Sequence, residues 1–141
     1  MTQATAVLDT NIVLDLCLFA DPATQDLHAA LHSAALQWIA TAAMREELVR
    51  VLAYPHIAVR MAHHQRSAHA VLAQFDALAA LQPVASKAGV TCKDPDDQRF
   101  IDLAVAHRAV LLSKDKAVLC MAKRLALYGV LVRRQWLRVA A

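Results

Sequence analysis

The feature that most constrains this chain is an alternation: short apolar runs closed by polar turn residues are followed by stretches whose apolar residues recur at helical spacing. Residues 5–8 form such a run, ending at Asp9-Thr10-Asn11, after which Ile12, Leu16 and Phe19 repeat at helical intervals. That unit predicts strand, tight loop and helix. Asp21-Pro22 breaks the helix, and Leu27, Leu31 and Ala35 support a second one leading to a strand at residues 37–40. Thr41 is placed to cap a third helix over residues 43–53; its Met44, Leu48, Val51 and Leu52 share one face, and Tyr54-Pro55 stops it. A long helix is predicted over residues 57–81, where no glycine or proline intervenes and Val71, Leu72, Phe75, Leu78 and Leu81 mark the buried side. Gln82-Pro83 ends it, and a short strand is expected at Val84. After a loop containing Gly89, Asp94-Pro95-Asp96-Asp97 starts a helix through His107, with Phe100, Leu103, Ala104 and His107 on one stripe. Residues 109–112 read as a strand, Ser113-Lys114-Asp115 turns into a final helix with Val118, Met121 and Leu125 inward, and residues 130–132 read as a last strand. Alternating strands and helices imply parallel crossovers, so the predicted class is α/β with a central, mainly parallel sheet covered on both faces.

Length and composition agree with that class. A chain of 141 residues fits one domain, and 58% hydrophobic residues with only two glycines and 5% aromatics favour helices over an all-β sandwich. Cys17, Cys92 and Cys120 are odd in number and form no CxxC pair, which argues against a disulfide framework or a zinc knuckle and predicts a reducing, cytoplasmic setting. The apolar stretch 7–20 is interrupted by Asp9 and Asp15, so it reads as neither a signal peptide nor a membrane span. The net charge of +3, the pI near 9.0 and the basic residues Arg133, Arg134 and Arg138 suit a polyanionic partner, although a solvated basic face reads the same way. No GxSxG, GxxxxGK[ST] or GxGxxG occurs, which removes support for nucleophile-elbow hydrolases, P-loop enzymes and dinucleotide-binding folds.

In a parallel sheet ligands gather beyond the C-terminal strand ends, so acids at those ends carry the most information. Asp9 ends the first strand, and Asp115 follows the strand 110–113 by two residues. On the third helix, a turn of about 100° per residue puts Glu46 opposite the apolar stripe and Glu47 at its rim, beside Val51. By the same reasoning Asp97 lies within the stripe of Phe100 and Ala104, whereas Asp102 faces away. Each acid also has a plainer reading: Asp9 and Asp115 as helix caps, Asp94 as the cap before Pro95, Asp96 and Asp97 as first-turn acids, Glu47 as a solvated residue. Convergence of the four from distant segments is what separates the readings, because such a cluster repels itself unless a cation joins it. All-oxygen ligands select hard cations, so Mg²⁺ or Mn²⁺ is the expected partner, activating water for phosphodiester hydrolysis without a covalent intermediate. His28 and His32 share a helix face but lack an HExxH pattern, and with His56, His63, His64 and His69 they read as solvated surface.

Four segments together, Val7-Leu8-Asp9-Thr10-Asn11, Arg45-Glu46-Glu47-Leu48, Asp94-Pro95-Asp96-Asp97-Gln98-Arg99-Phe100 and Leu112-Ser113-Lys114-Asp115, resemble the PIN domain family, closest to the VapC-like toxin branch of toxin-antitoxin systems. The resemblance implies a three-layer α/β/α fold of four to five short strands and a ribonuclease that cuts single-stranded regions of RNA with Mg²⁺ or Mn²⁺. It matches Asp9, Glu47, Asp97 and Asp115 to the acidic quartet, with Asp9, Asp97 and Asp115 as metal ligands. Thr10, Asn11 and Ser113 match the small polar residues that orient a carboxylate or a metal water, and Asp94 and Asp96 are supporting groups. Ala117 departs from the pattern where many members carry a further acid, which implies one tightly bound ion and a second recruited with RNA. The resemblance also implies a cognate antitoxin, and apolar helical faces would suit a homodimer. Two other classes compete: a PIN-fold module that binds RNA or protein without turnover, and a phosphoacceptor receiver, which would want paired acids at the first strand and a lysine after the last.

Overall fold

The computed structural model describes residues 4–137. In chain order its elements are β1 (Ala4–Leu8), α1 (Thr10–Cys17), α2 (Gln25–His32), β2 (Leu36–Ala40), α3 (Ala42–Leu52), α4 (Pro55–His63), α5 (Ala68–Leu78), β3 (Ala79–Leu81), α6 (Gln98–His107), β4 (Val110–Leu112), α7 (Lys116–Leu119), α8 (Ala122–Ala126) and β5 (Val132–Arg133). Short 3₁₀ turns at Pro22–Thr24 and Pro95–Asp97 lead into α2 and α6.

The five strands form one sheet in the order β3-β2-β1-β4-β5, and every pairing is parallel. Consecutive strand residues point to opposite faces, so the burial of Ala6, Val7 and Leu8 in a row means that both faces of β1 are covered. This is the expected α/β/α arrangement. From β1 the chain builds β2 and β3 on one side, then crosses over to lay β4 on the other, so β1 and β4 flank the point where the winding reverses. Side chains leaving the C-terminal ends of two such strands diverge around a crevice. The register Leu8↔Leu112 and the bond from the Asp9 amide to the Leu112 carbonyl (2.9 Å) bring both exits to the same edge.

The helix predicted over residues 57–81 is instead two helices and a strand. Gln65 turns the chain at a positive φ of 53°, and the Ser67 hydroxyl accepts the Ala70 amide at 3.0 Å to cap α5. Residues 79–81 have good helix propensity, yet they pair with β2 from Trp38↔Ala79 to Ala40↔Leu81, because tertiary pairing outweighs a weak local preference. The strand therefore precedes Gln82-Pro83, and Val84 is 79% exposed outside any element. Smaller corrections follow the same logic. Ala35 lies beyond α2, whose end is followed by Ala34 at φ 62°; His107 is exposed at the end of α6; the last helix is divided into α7 and α8 around Met121; and β5 starts at Val132, two residues later than predicted. Among the basic C-terminal residues, Arg133 and Arg134 are exposed, and Arg138 lies outside the described residues.

Candidate metal centre

The crevice between β1 and β4 gathers acids from three separate segments. Asp9 is the residue after β1 and precedes α1, Asp97 ends the 3₁₀ turn ahead of α6, and Asp115 precedes α7. One carboxylate oxygen from each lies within 4.8 Å of the others. Asp9 and Asp97 are only 5% and 7% exposed, while Asp115 is half-buried. Glu47 of α3 approaches from the side: it is half-buried and its Oε2 accepts the Thr10 hydroxyl at 2.5 Å, whereas Glu46 is exposed. The helical count that separated Glu47 from Glu46 thus agrees with their burial.

Small polar residues tie these acids to the strand ends. The buried Ser113 hydroxyl donates to Asp9 Oδ2 at 2.6 Å and accepts the Asp115 amide at 3.0 Å, so one side chain sets the spacing of two carboxylates. Asn11 Nδ2 approaches Asp9 Oδ2 at 3.5 Å, and its Oδ1 accepts the Lys114 amide at 3.3 Å. Asp115 also caps α7, its Oδ1 accepting the Ala117 amide at 2.9 Å, so capping and cluster membership coexist in one carboxylate. Asp94 behaves as a cap: its Oδ1 accepts the Asp96 amide at 3.0 Å, and Asp96 is exposed.

The electrostatics are those of a site short of positive charge. Burial pushes the Asp9 carboxyl up, against the pull of the Ser113 hydroxyl and the Thr10 backbone, and the charges of Asp115 and Glu47 push further the same way. Asp97 is pushed up to about 8, first by burial, then by the Asp9 charge, contact with Asp115 and its charge, and Asp94. Its Oδ2 is buried with no hydrogen-bond partner. Among the described residues no lysine or arginine forms an ion pair with any of the four acids. An unpartnered buried oxygen within a cluster of like charges fits a divalent cation, and an all-oxygen donor set fits a hard one. Asp9, Asp97 and Asp115 are the residues that would hold it.

Comparison with known proteins agrees with this geometry. A family model described as PIN domain matches residues 5–117, which takes in all but the first residue of β1 and all four acids. The chain belongs to the PIN domain family. Domains of this family are generally metal-dependent nucleases, in keeping with the acidic crevice. No curated protein matches the chain.

Three features of this PIN domain were not read from the sequence. Asp15, taken there only as an interruption of an apolar stretch, accepts an ion pair from Lys114 Nζ at 2.6 Å. That contact commits the lysine that directly precedes Asp115. Gln98 donates to the Val90 carbonyl (3.0 Å) and to Asp102 Oδ1 (2.8 Å), and accepts the Cys92 amide at 2.7 Å, fixing the loop before Asp94. The i,i+4 spacing of Gln98 and Asp102 was the available signal for that pair. Third, Arg66 is half-buried and donates to the Cys17 carbonyl at 2.8 Å and to Gln74. The histidines themselves are exposed; His28 and His32 lie with ring centroids 4.1 Å apart.

Proposed function

We propose that this PIN domain is an Mg²⁺- or Mn²⁺-dependent endoribonuclease and the toxin of a toxin-antitoxin pair. The observation that carries the reading is the convergence of Asp9, Asp97 and Asp115 in a crevice where Asp97 Oδ2 has no hydrogen-bond partner. When bound, a hard cation there supplies charge neutralisation for a phosphate and a lower pKa for water. The chain's own residues do the placing. Ser113 and Asn11 fix the Asp9 carboxylate, Asp115 is held by the hydrogen bond its backbone N–H donates to the Ser113 hydroxyl, and Glu47, aligned by Thr10, stands at the side to orient the attacking water and take its proton. Single-stranded RNA regions are the substrate class that the family resemblance implies, and unpaired backbone bends more readily than a duplex toward buried carboxylates such as Asp9 and Asp97. A cognate antitoxin would inhibit by covering the crevice, a homodimer would form through apolar helical faces, and the cytoplasm is the setting. Among the described residues no helix is long and apolar enough to cross a membrane.

The test is cleavage of a mixed set of structured and single-stranded RNAs with Mg²⁺, Mn²⁺ or EDTA, beside Asp9→Asn and Asp97→Asn. Metal-dependent cuts lost in both variants are the expected outcome. A folded, metal-binding protein that cuts none of the RNAs would replace this reading with that of a binding module.

A further inference from the structure

Two cysteines outside the acidic cluster bracket the turns that carry it. Cys92 lies five residues before Asp97, and Cys120 lies five residues after Asp115. Their thiols meet at one acceptor: Cys92 Sγ lies 3.5 Å and Cys120 Sγ 3.4 Å from the Ala117 carbonyl oxygen. The two sulfurs are therefore no farther apart than the sum of those distances, about 6.9 Å. Cys120 is exposed and Cys92 is 4% exposed, so one thiol faces solvent while the other waits behind it. An accessible cysteine beside a neighbour that can resolve it is an arrangement common among redox-sensing thiols.

We propose that Cys92 and Cys120 form a reversible intramolecular disulfide on exposure to hydrogen peroxide, and that this cross-link weakens divalent-metal binding at the acidic crevice. The second half rests on the metal-centre reading given above; the first half does not. Chemically, the Cys120 thiolate attacks one peroxide oxygen, giving a sulfenic acid and, after proton transfer, water. The Cys92 thiol then attacks the Cys120 sulfur, forming the S–S bond and releasing the second water. Two thiols are oxidised and one peroxide is reduced to two waters. A thiol reductant reverses the step by exchange.

The mechanical consequence follows from what each cysteine is attached to. The Cys92 amide is held by Gln98 at the start of α6, one residue after Asp97. Cys120 ends α7, the helix that Asp115 caps. A disulfide brings the sulfurs to about 2 Å and removes both S–H groups, so neither cysteine can still donate to the Ala117 carbonyl, and the turn before Asp97 becomes tied to the end of the helix that Asp115 caps. Ser113 holds Asp9 and Asp115 together through its own bonds, so the new restraint between the two turns acts on the position of Asp97 relative to the other two carboxylates. The third cysteine is an internal control: Cys17 is buried in α1, and it shares no hydrogen-bond acceptor with either of the other two among the described residues.

The experiment treats the full chain with stoichiometric hydrogen peroxide, maps disulfides by peptide mass spectrometry, and measures Mn²⁺ binding calorimetrically before oxidation, after it, and after reduction. The expected result is a Cys92–Cys120 link within one chain, with Mn²⁺ binding at least fivefold weaker and restored by reductant. Cys120→Ser, at an exposed position, should bind Mn²⁺ normally and lose the response. An oxidised chain without the intramolecular link, a link between chains through Cys120, or a link that leaves Mn²⁺ affinity unchanged overturns the proposal. Failure of the reduced protein to bind Mn²⁺ counts instead against the metal centre, since the mass map reads the cross-link independently.

Discussion

Asp9, just before α1, and Asp15, within it, are almost equally buried, at 5% and 8% exposed, yet they are satisfied in opposite ways. Asp15 takes a cation from the protein, Lys114 Nζ at 2.6 Å. Asp9 takes a hydroxyl from Ser113 and faces two further carboxylates. The contrast is sharpened because Lys114 directly precedes Asp115: a positive charge is available in the very turn that serves the cluster, and it is committed elsewhere. A buried carboxylate that serves only the fold finds its partner within the chain, whereas the acids of the crevice are left to a partner from solution.

Neutralising one side of the contrast should give the largest effect. Asp97→Asn should cut RNA cleavage roughly a hundredfold or more, in line with losing a ligand of a cation that supplies several kcal/mol. The same variant should melt no lower than the parent in EDTA, since it removes like-charge repulsion. A lower metal-free melting temperature would mean that Asp97 is structural, as Asp15 is.

The pH dependence tests the same point without mutation. Because folding raises Asp97 to about 8 from an ordinary value near 3.8, the metal-free folded state holds a proton that the unfolded chain has lost across that window. Its contribution to stability is complete below about pH 4 and falls away as pH rises to about 8. Melting in EDTA across this range should show that decline, and Asp97→Asn should flatten it. Metal displaces the same proton, so Mn²⁺ affinity should rise with pH up to about 8. An affinity independent of pH would break the assignment.

A smaller effect is expected from Thr10→Val, which removes the hydroxyl that holds Glu47. Cleavage should slow about tenfold, the rate equivalent of one hydrogen bond to a charged group, while Mn²⁺ affinity stays near the parent value. The smallest is expected at Asp15→Asn. The Lys114 side chain is 43% exposed and Asp15 only 11%, so loss of the pair should cost about 1 kcal/mol of stability in urea denaturation and leave Mn²⁺ binding unchanged.

Much of this was legible along the chain where one local rule operated. The run ending at Asp9, the Thr41 cap on α3 and the rim position of Glu47 each follow from a spacing or a cap preference. Residues 57–81 failed because the break at Gln65 involves neither glycine nor proline, and because residues 79–81 are a strand only through β2. The Asp15–Lys114 pair was invisible for a related reason: Lys114 and Asp15 are far apart in sequence, and nothing local marks which of two neighbouring acids a lysine will reach.

The sequence by itself determined the alternation of strands and helices, the absence of local motifs for other nucleotide-binding folds, and a short set of acids at element ends. Periodicity, caps and breakers act over a few residues and can be read there. Only the tertiary structure decided that β4 returns beside β1, so that Asp9, Asp97 and Asp115 meet within 4.8 Å while Lys114 turns aside to Asp15. Those outcomes depend on strand order and on which charges burial leaves unpaired, and both are properties of the packed whole.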